Sequence, residues 1–366
     1  MKLSKLFVSS LATYISLYSS EVAPSTQNIS AFVNPSKILS IKANINYLDK
    51  GIDIFGSIDS DKTNSFGHIG KLLGTDINLR YGFSKHISFL YNFSINRFDF
   101  IDSNLNNLNN ELIARVNFYD VPNYIFDDFT IDFGLVRNSG NNVKIKDANT
   151  ISKTINLKEL SSMNNSLLYN GIDISNQIDP LTNKSTKPYL SLSNMSDNSF
   201  FIRAIWGNRF ASSILNIFTS VKYTDISTNL KINPNKSQNI EYNKLLNKFK
   251  YKNIGRDEKT LGAGINFVTE SENFIYDINY RYLQIFSRDI NSDNNHNNIF
   301  SLNISYKANS SLLLFAGGDI MLNGYNGVIP YLFNQYSKDS FKRYGYIKLG
   351  LVYNFEIDDR FLYKNY

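Results

Sequence analysis

From Leu39 to Tyr47 apolar and polar residues alternate without a break. Leu39, Ile41, Ala43, Ile45 and Tyr47 fall on one side, and Ser40, Lys42, Asn44 and Asn46 on the other. A period of two is that of a β-strand with one apolar and one polar face. The same pattern returns at 75–83, where Ile77, Leu79 and Tyr81 oppose Asp76, Asn78 and Arg80, and at 87–95, where Phe89, Tyr91 and Phe93 oppose Ser88, Asn92 and Ser94. Further strands are predicted near 112–118, 129–135, 200–206, 215–223, 261–269, 274–282, 300–306, 312–320 and 345–355. The result is about twelve strands of about ten residues, the length that a tilted membrane strand needs.

Within these windows the apolar face carries no Asp, Glu, Lys or Arg, while the opposite face carries both signs of charge. A charge facing lipid at mid-bilayer costs about 2–4 kcal/mol, so a lipid-facing surface excludes charge this strictly. A soluble sheet with its apolar face inward alternates too, and the connections separate the two cases. A tight turn, Phe83-Ser84-Lys85-His86, follows the second strand, short links recur near 208–212, 270–273 and 307–310, and a modest one lies at 120–126. Between them are long segments near 48–71, 138–198, 225–258 and 322–342, with shorter ones near 99–109 and 287–297. Long and short links in strict succession are the rhythm of a transmembrane barrel, with short periplasmic turns and longer extracellular loops. The fold expected is all-β, a transmembrane antiparallel β-barrel over 37–355 with both termini periplasmic. A periplasmic segment, 24–36, precedes it and a tail, 356–366, follows.

The N-terminus adds an export signal. Lys2 and Lys5 precede the apolar stretch Leu6 to Tyr18, and small and polar residues follow to Ala23. These are the three regions of a secretory signal peptide, expected over residues 1–23, and they are too short to span a bilayer.

Composition narrows the classes further. The 24 Tyr and 27 Phe against only 7 Pro suit extended strands. Mean hydropathy is −0.26 and no apolar run approaches the roughly 18 residues of a membrane helix, which excludes a helical membrane protein. With no cysteine there is neither a disulfide framework nor a thiol nucleophile. The net charge of +6 is dispersed, without a basic block interleaved with aromatics, so nucleic acid is not an expected partner.

Over about residues 37–355 the chain resembles the bacterial outer-membrane β-barrels as a class. The hairpin LRYGFSKHISFLYNF and the closing strand YGYIKLGLVYNF carry the resemblance. It implies residence in the outer membrane, contact with its lipid and lipopolysaccharide, and recognition of the last strand by the barrel-assembly machinery. Phe355 fits that terminal signal, although Glu356 to Tyr366 follow it. Tyr47, Tyr81, Phe83, Trp206, Tyr223, Phe274, Tyr282, Tyr306, Tyr353 and Phe355 lie near strand ends, where interfacial aromatics belong.

The polar faces define the candidate lumen. Lys42, Arg80, Arg115, Arg203, Lys222, Arg281, Lys307 and Lys348 are its basic residues. Asp76, Asp132 and Asp277 are acidic pore-lining candidates, with Glu111 and Asp319 on the same face. Two functions follow. One is a channel or porin for passive diffusion of small polar solutes, leaning weakly to anions because fixed charge sets the counter-ion population. The other is a closed barrel serving as surface receptor, adhesin or structural envelope protein, its charges paired across the lumen, Arg80 with Asp76 or Arg281 with Asp277. The segment 138–198 is either a constriction or plug or a surface loop. Leu157–Tyr169 has weak helical character. Ile240–Tyr251 has helical spacing, and its lysines are either a lipopolysaccharide-phosphate contact or a solvated face.

Enzyme signals are thin and no cofactor is expected. His68, His86 and His296 lie in links, with nothing to fix catalytic geometry. Asp59, Asp61 and Asn64 have loose calcium spacing without the full loop signature. Gly70-Lys71 lacks the Ser or Thr of a phosphate loop, since Leu72 follows.

Overall fold

The computed structural model describes residues 29–31, 36–53, 69–100, 103–118, 126–145, 189–233, 252–253, 255–287, 295–332 and 343–356. The expected signal peptide, the stretches 157–169 and 240–251 read as helical, the Asp59–Asp61–Asn64 group, His68 and the tail beyond 356 lie outside them.

Twelve long strands form the wall. They are β1 (Ile38–Leu48), β2 (Ile69–Gly82), β3 (Ile87–Phe100), β4 (Ser103–Phe118), β5 (Asp128–Gly140) and β6 (Tyr189–Phe210), then β7 (Ser213–Asn233), β8 (Arg256–Ser271), β9 (Phe274–Phe286), β10 (His296–Lys307), β11 (Leu312–Met321) and β12 (Tyr344–Glu356). Each pairs antiparallel with its neighbour in sequence. The last closes on the first in a continuous ladder from Ile38↔Glu356 to Tyr47↔Ile347. Closure leaves the wall without an unpaired edge, the condition a sheet must meet in lipid.

Burial is inverted relative to a water-soluble protein. Outward apolar residues are widely exposed, among them Ile45, Leu73, Leu135, Val221 and Leu349, each at 55–58%. Inward polar residues are buried, with Asp132, Asn216, Asn266 and Asp277 all at 0%. Such an apolar exterior is stable only where the solvent is hydrocarbon. Aromatic residues gather at the tight-turn end, where Phe129 packs on Trp206 at 5.3 Å, Phe274 on Tyr306 at 5.5 Å and Tyr353 on Phe355 at 4.4 Å between ring centroids. They form the interfacial girdle of that rim.

Outward position Ile278 pairs with Leu302 on the lipid face and is half exposed. Ile278→Arg is expected to cost about 2–4 kcal/mol, the range for a charge that faces lipid near mid-bilayer. Heat-modifiable gel mobility after folding into vesicles measures this as a reduced folded fraction, and an undiminished fraction would move Ile278 towards the interface.

All the predicted strands are present, but several run further than the alternation indicated. β4 starts at Ser103 rather than near 112, so only residues 101–102 separate it from β3 and the expected link at 99–109 is mostly strand. Its opening, SNLNNLNN, pairs residue for residue with β3 while asparagine occupies both faces, which erases the hydropathy signal. β6 and β7, of 22 and 21 residues, absorb 189–198 and 225–233 from the segments expected to be loops. About ten residues suffice to cross a membrane, so this ribbon extends well past the extracellular rim. Its outer face is polar there, through Ser191, Ser193, Asn198 and Asp225, while Leu192, Met195 and Ile226 point inward and are buried. A bulge between Ser193 and Ser196 bends it, with Asn194 at φ 52°.

Candidate functional site: a polar chamber capped inside the barrel

The lumen holds a chamber of about 350 Å³ with a mixed polar and apolar lining. Asparagine dominates, through Asn44, Asn46, Asn78, Asn92, Asn96 and Asn109. The charged lining residues are Lys42, Arg203, Lys222, Arg281 and Lys348 against Asp76 and Glu111. Alternation places them there: each is an inward residue of its strand, opposite outward Ala43, Ile202, Val221, Tyr282 or Ile77.

The other predicted lumen residues also point inward, towards the periplasmic half. Arg80, Arg115, Asp132 and Asp277 are buried, and Lys307 is paired with Glu270 at the lower rim. The ion pairs differ from those the sequence suggested. Asp132 stands in register between Arg115 on β4 and Arg203 on β6. Its Oδ1 accepts from Arg115 Nε at 2.7 Å and its Oδ2 from Arg203 Nη2 at 2.6 Å. Lys348 Nζ meets Asp319 at 2.6 Å. Asp76 accepts from both Asn44 and Asn46 at 2.8 Å, Asp277 accepts from Asn266 at 2.7 Å, and Glu111 accepts from Asn92. Asparagine amides therefore hydrogen-bond three of the lumen's acidic groups. Cross-strand neighbours dominate because the ladder fixes them about 5 Å apart, whereas Arg80 and Asp76 lie on one strand, two turns of the pleat away.

The upper end of the chamber is roofed by the link after β11. Gly324 and Gly327, both at positive φ, let the chain fold back into the barrel mouth. Tyr325, Asn326, Ile329, Tyr331 and Leu332 are then buried, the last two within the 3₁₀ turn Pro330–Leu332. They join Leu72, Phe98, Leu105, Leu192, Leu283 and Tyr344 in an apolar cluster under the rim. Directional bonds fix the segment. Lys222 Nζ donates to the Gly327 carbonyl at 2.5 Å and Arg256 Nη2 to the Pro330 carbonyl at 2.9 Å. Asn297 Nδ2 donates to the Asn326 carbonyl at 2.8 Å, and Tyr331 Oη to Asn107 Oδ1 at 2.6 Å. Burial pushes the Tyr325 and Tyr331 hydroxyls well above the ordinary phenol range, which keeps both neutral.

The lower end is occupied by Ile29–Ala31, which lies inside the barrel. Ala31 N donates to Asn216 Oδ1 at 2.9 Å, and the Ala31 carbonyl accepts from Asn117 Nδ2 at 2.7 Å and from Thr130. Ile29 and Ala31 pack with Ile205, Ile214, Phe218, Val268 and Ile275. Phe218 also lines the chamber, so its ring is part of the floor. A Cβ on Gly264 of the adjacent strand would stand 2.4 Å from that ring, so the ring lies across the wall only because Gly264 has no side chain.

Alternation found the lining but missed both caps. A signal for the upper one existed in Tyr325, Val328, Ile329, Tyr331 and Leu332, too apolar for a solvent-exposed loop. The segment read as either a plug or a surface loop, 138–198, is strand at 138–140, at 143–145 and from 189, and 146–188 lies outside the described residues. No group of three potential metal ligands occurs among the described residues.

A closed antiparallel barrel with an apolar exterior, an aromatic rim and a charged interior defines the class: an integral β-barrel of the bacterial outer membrane. No family model matches the sequence, and no curated protein is similar to it. Among solved structures the chain is similar to the translocator domain of the autotransporter NalP from Neisseria meningitidis, at 8% identity and TM-score 0.43, covering 96% of this chain and 97% of that one. It is also similar to a Pseudomonas aeruginosa FadL homologue, at 9% identity and TM-score 0.42, covering 88% and 89%. A third is the Pseudomonas putida toluene transporter TodX, at 9% identity and TM-score 0.41, covering 90% and 91%. Similarity this distant concerns architecture and transfers no activity.

Proposed function

We propose that this protein is a gated outer-membrane channel for small polar solutes, leaning weakly to anions. The observation that carries the reading is the polar chamber itself, held in a lipid-facing barrel between two segments that are not part of the wall. A barrel filled only for stability would be packed through its middle, as smaller barrels are. Here the middle is hollow and the ends are occupied. The upper cap is a single link hung between β11 and β12, so it can leave without breaking a ladder bond.

The lean to anions follows from the lining. Of its five basic residues, Arg203 is engaged by Asp132 and Lys348 by Asp319, both outside the chamber lining. Lys42, Lys222 and Arg281 then face Asp76 and Glu111, a small positive excess. Single-channel recording in a planar bilayer under a salt gradient tests this. Openings with a reversal potential on the anion side are expected, and Lys42→Glu with Lys348→Glu should move it to the cation side. Silence from protein shown to be folded by its gel mobility would overturn the channel reading.

A second reading rests on the two caps. Ile29–Ala31 and Tyr325–Leu332 are anchored by buried hydrogen bonds as well as by apolar packing. A barrel so closed would serve as a surface receptor, adhesin or envelope scaffold, and the same silence would favour it.

A further inference from the structure

We infer that the chamber is a saturable binding site for a small organic oxyanion, a carboxylate or phosphoryl compound, centred on Arg281. The inference rests on the channel reading for how the solute arrives, but not for whether it binds.

Arg281 projects inward from the middle of β9 and lines the chamber. Every other basic group of the chamber has an observed contact. Lys222 bonds the Gly327 carbonyl, Arg203 and Lys348 hold carboxylates, and Lys42 lies over the Phe315 ring at 4.7 Å. Arg281 is different: among the described residues its Nε has no hydrogen-bond acceptor. Asn107 Nδ2, which lines the same chamber, is a second buried donor without one. Buried donors left without acceptors are costly, and the cost is recovered when an acceptor enters.

The surroundings favour an anion as that acceptor. Arg203 and Lys222 lie within electrostatic reach of Arg281. Asp319 on β11 and Glu111 on β4 oppose them, but Asp319 is already paired with Lys348. A guanidinium offers paired donors that match the two oxygens of a carboxylate or phosphoryl group. The asparagine amides around it can donate to further oxygens of the same solute. A volume of about 350 Å³ sits at the low end for small-molecule pockets, so the ligand is of metabolite size.

Isothermal titration of the full, folded protein in detergent tests the site, with succinate and inorganic phosphate as separate probes. Saturable binding of one or both is expected, at least tenfold weaker in Arg281→Gln and partly restored in Arg281→Lys. Gel mobility before and after boiling shows that each variant is folded. Succinate binding alone would assign a carboxylate ligand, and phosphate binding alone a phosphoryl ligand. No saturable heat with either probe, or equal affinity in Arg281→Gln, would overturn the inference. Conductance separates the two claims. Binding without channel openings leaves the site and removes the transport reading, whereas openings without binding do the reverse.

Discussion

Asp132→Ala is expected to destabilise the barrel by about 3–5 kcal/mol, the cost of breaking a buried ion pair by removing one partner. The carboxylate is completely buried, and the Arg115 and Arg203 side chains beside it are 5% and 11% exposed. Both guanidiniums hydrogen-bond that one carboxylate through two nitrogens each. Alanine would leave two like charges facing each other across β5 with no counter-charge between them. Asp132→Asn keeps an acceptor but loses the charge, so its loss should be intermediate. Urea titration of protein folded in vesicles, followed by gel mobility, gives both values. A loss below about 1 kcal/mol for the alanine variant would mean that water solvates the arginines, as for an exposed pair.

Unlocking the upper cap should produce the largest change in conductance. Tyr325→Ala, Ile329→Ala and Tyr331→Ala together remove three buried side chains that pack under the rim, together with the bond from Tyr331 to Asn107. Large-to-small changes of this kind cost about 2–5 kcal/mol each in a packed site. Because about 1.4 kcal/mol is a factor of ten in an equilibrium, the open population should rise at least tenfold. The wall should be untouched, since no ladder residue changes, and gel mobility should remain that of a folded barrel. Absence of cysteine allows an independent check. A single cysteine at Asn326, fully buried in the cap, should resist a membrane-impermeant thiol reagent and react rapidly once the three substitutions are added. Continued protection in a folded, silent variant would show that the cap is structural filling and would support the closed-barrel reading.

The cap and the buried triad differ in how far the sequence revealed them. Arg115, Asp132 and Arg203 could each be assigned to the inner face from alternation alone. Which of them would meet needed the register, because a one-residue slip changes every cross-strand neighbour. Arg115↔Asp132 and Asp132↔Arg203 are ladder partners, so the triad is a consequence of register rather than of any local motif. Charge is compensated inside the lumen at Arg115–Asp132–Arg203 and at Lys348–Asp319, and in both cases the partners lie across strands rather than along one.

The sequence by itself determined the wall. A strict period of two, with no charge on one face, states which side chains meet lipid, and the inverted burial follows directly, from Ile45 outward at 55% to Asp132 inward at 0%. Lipid tolerates no exception to that rule, so the signal survives in every spanning segment. Where lipid is absent, the pattern fades. The extracellular halves of β6 and β7 and the start of β4 are strands in contact with water on their outer faces, and nothing in their composition had to alternate. The caps required the tertiary structure for a different reason. Ile29–Ala31 and Tyr325–Leu332 are held by side chains far away in sequence, Ala31 by Asn216 and Asn117, Tyr331 by Asn107. These contacts exist only after the barrel has closed and brought strands from opposite sides of its circumference around one space. The chamber between the caps, and the unpartnered Arg281 nitrogen within it, are properties of that closure.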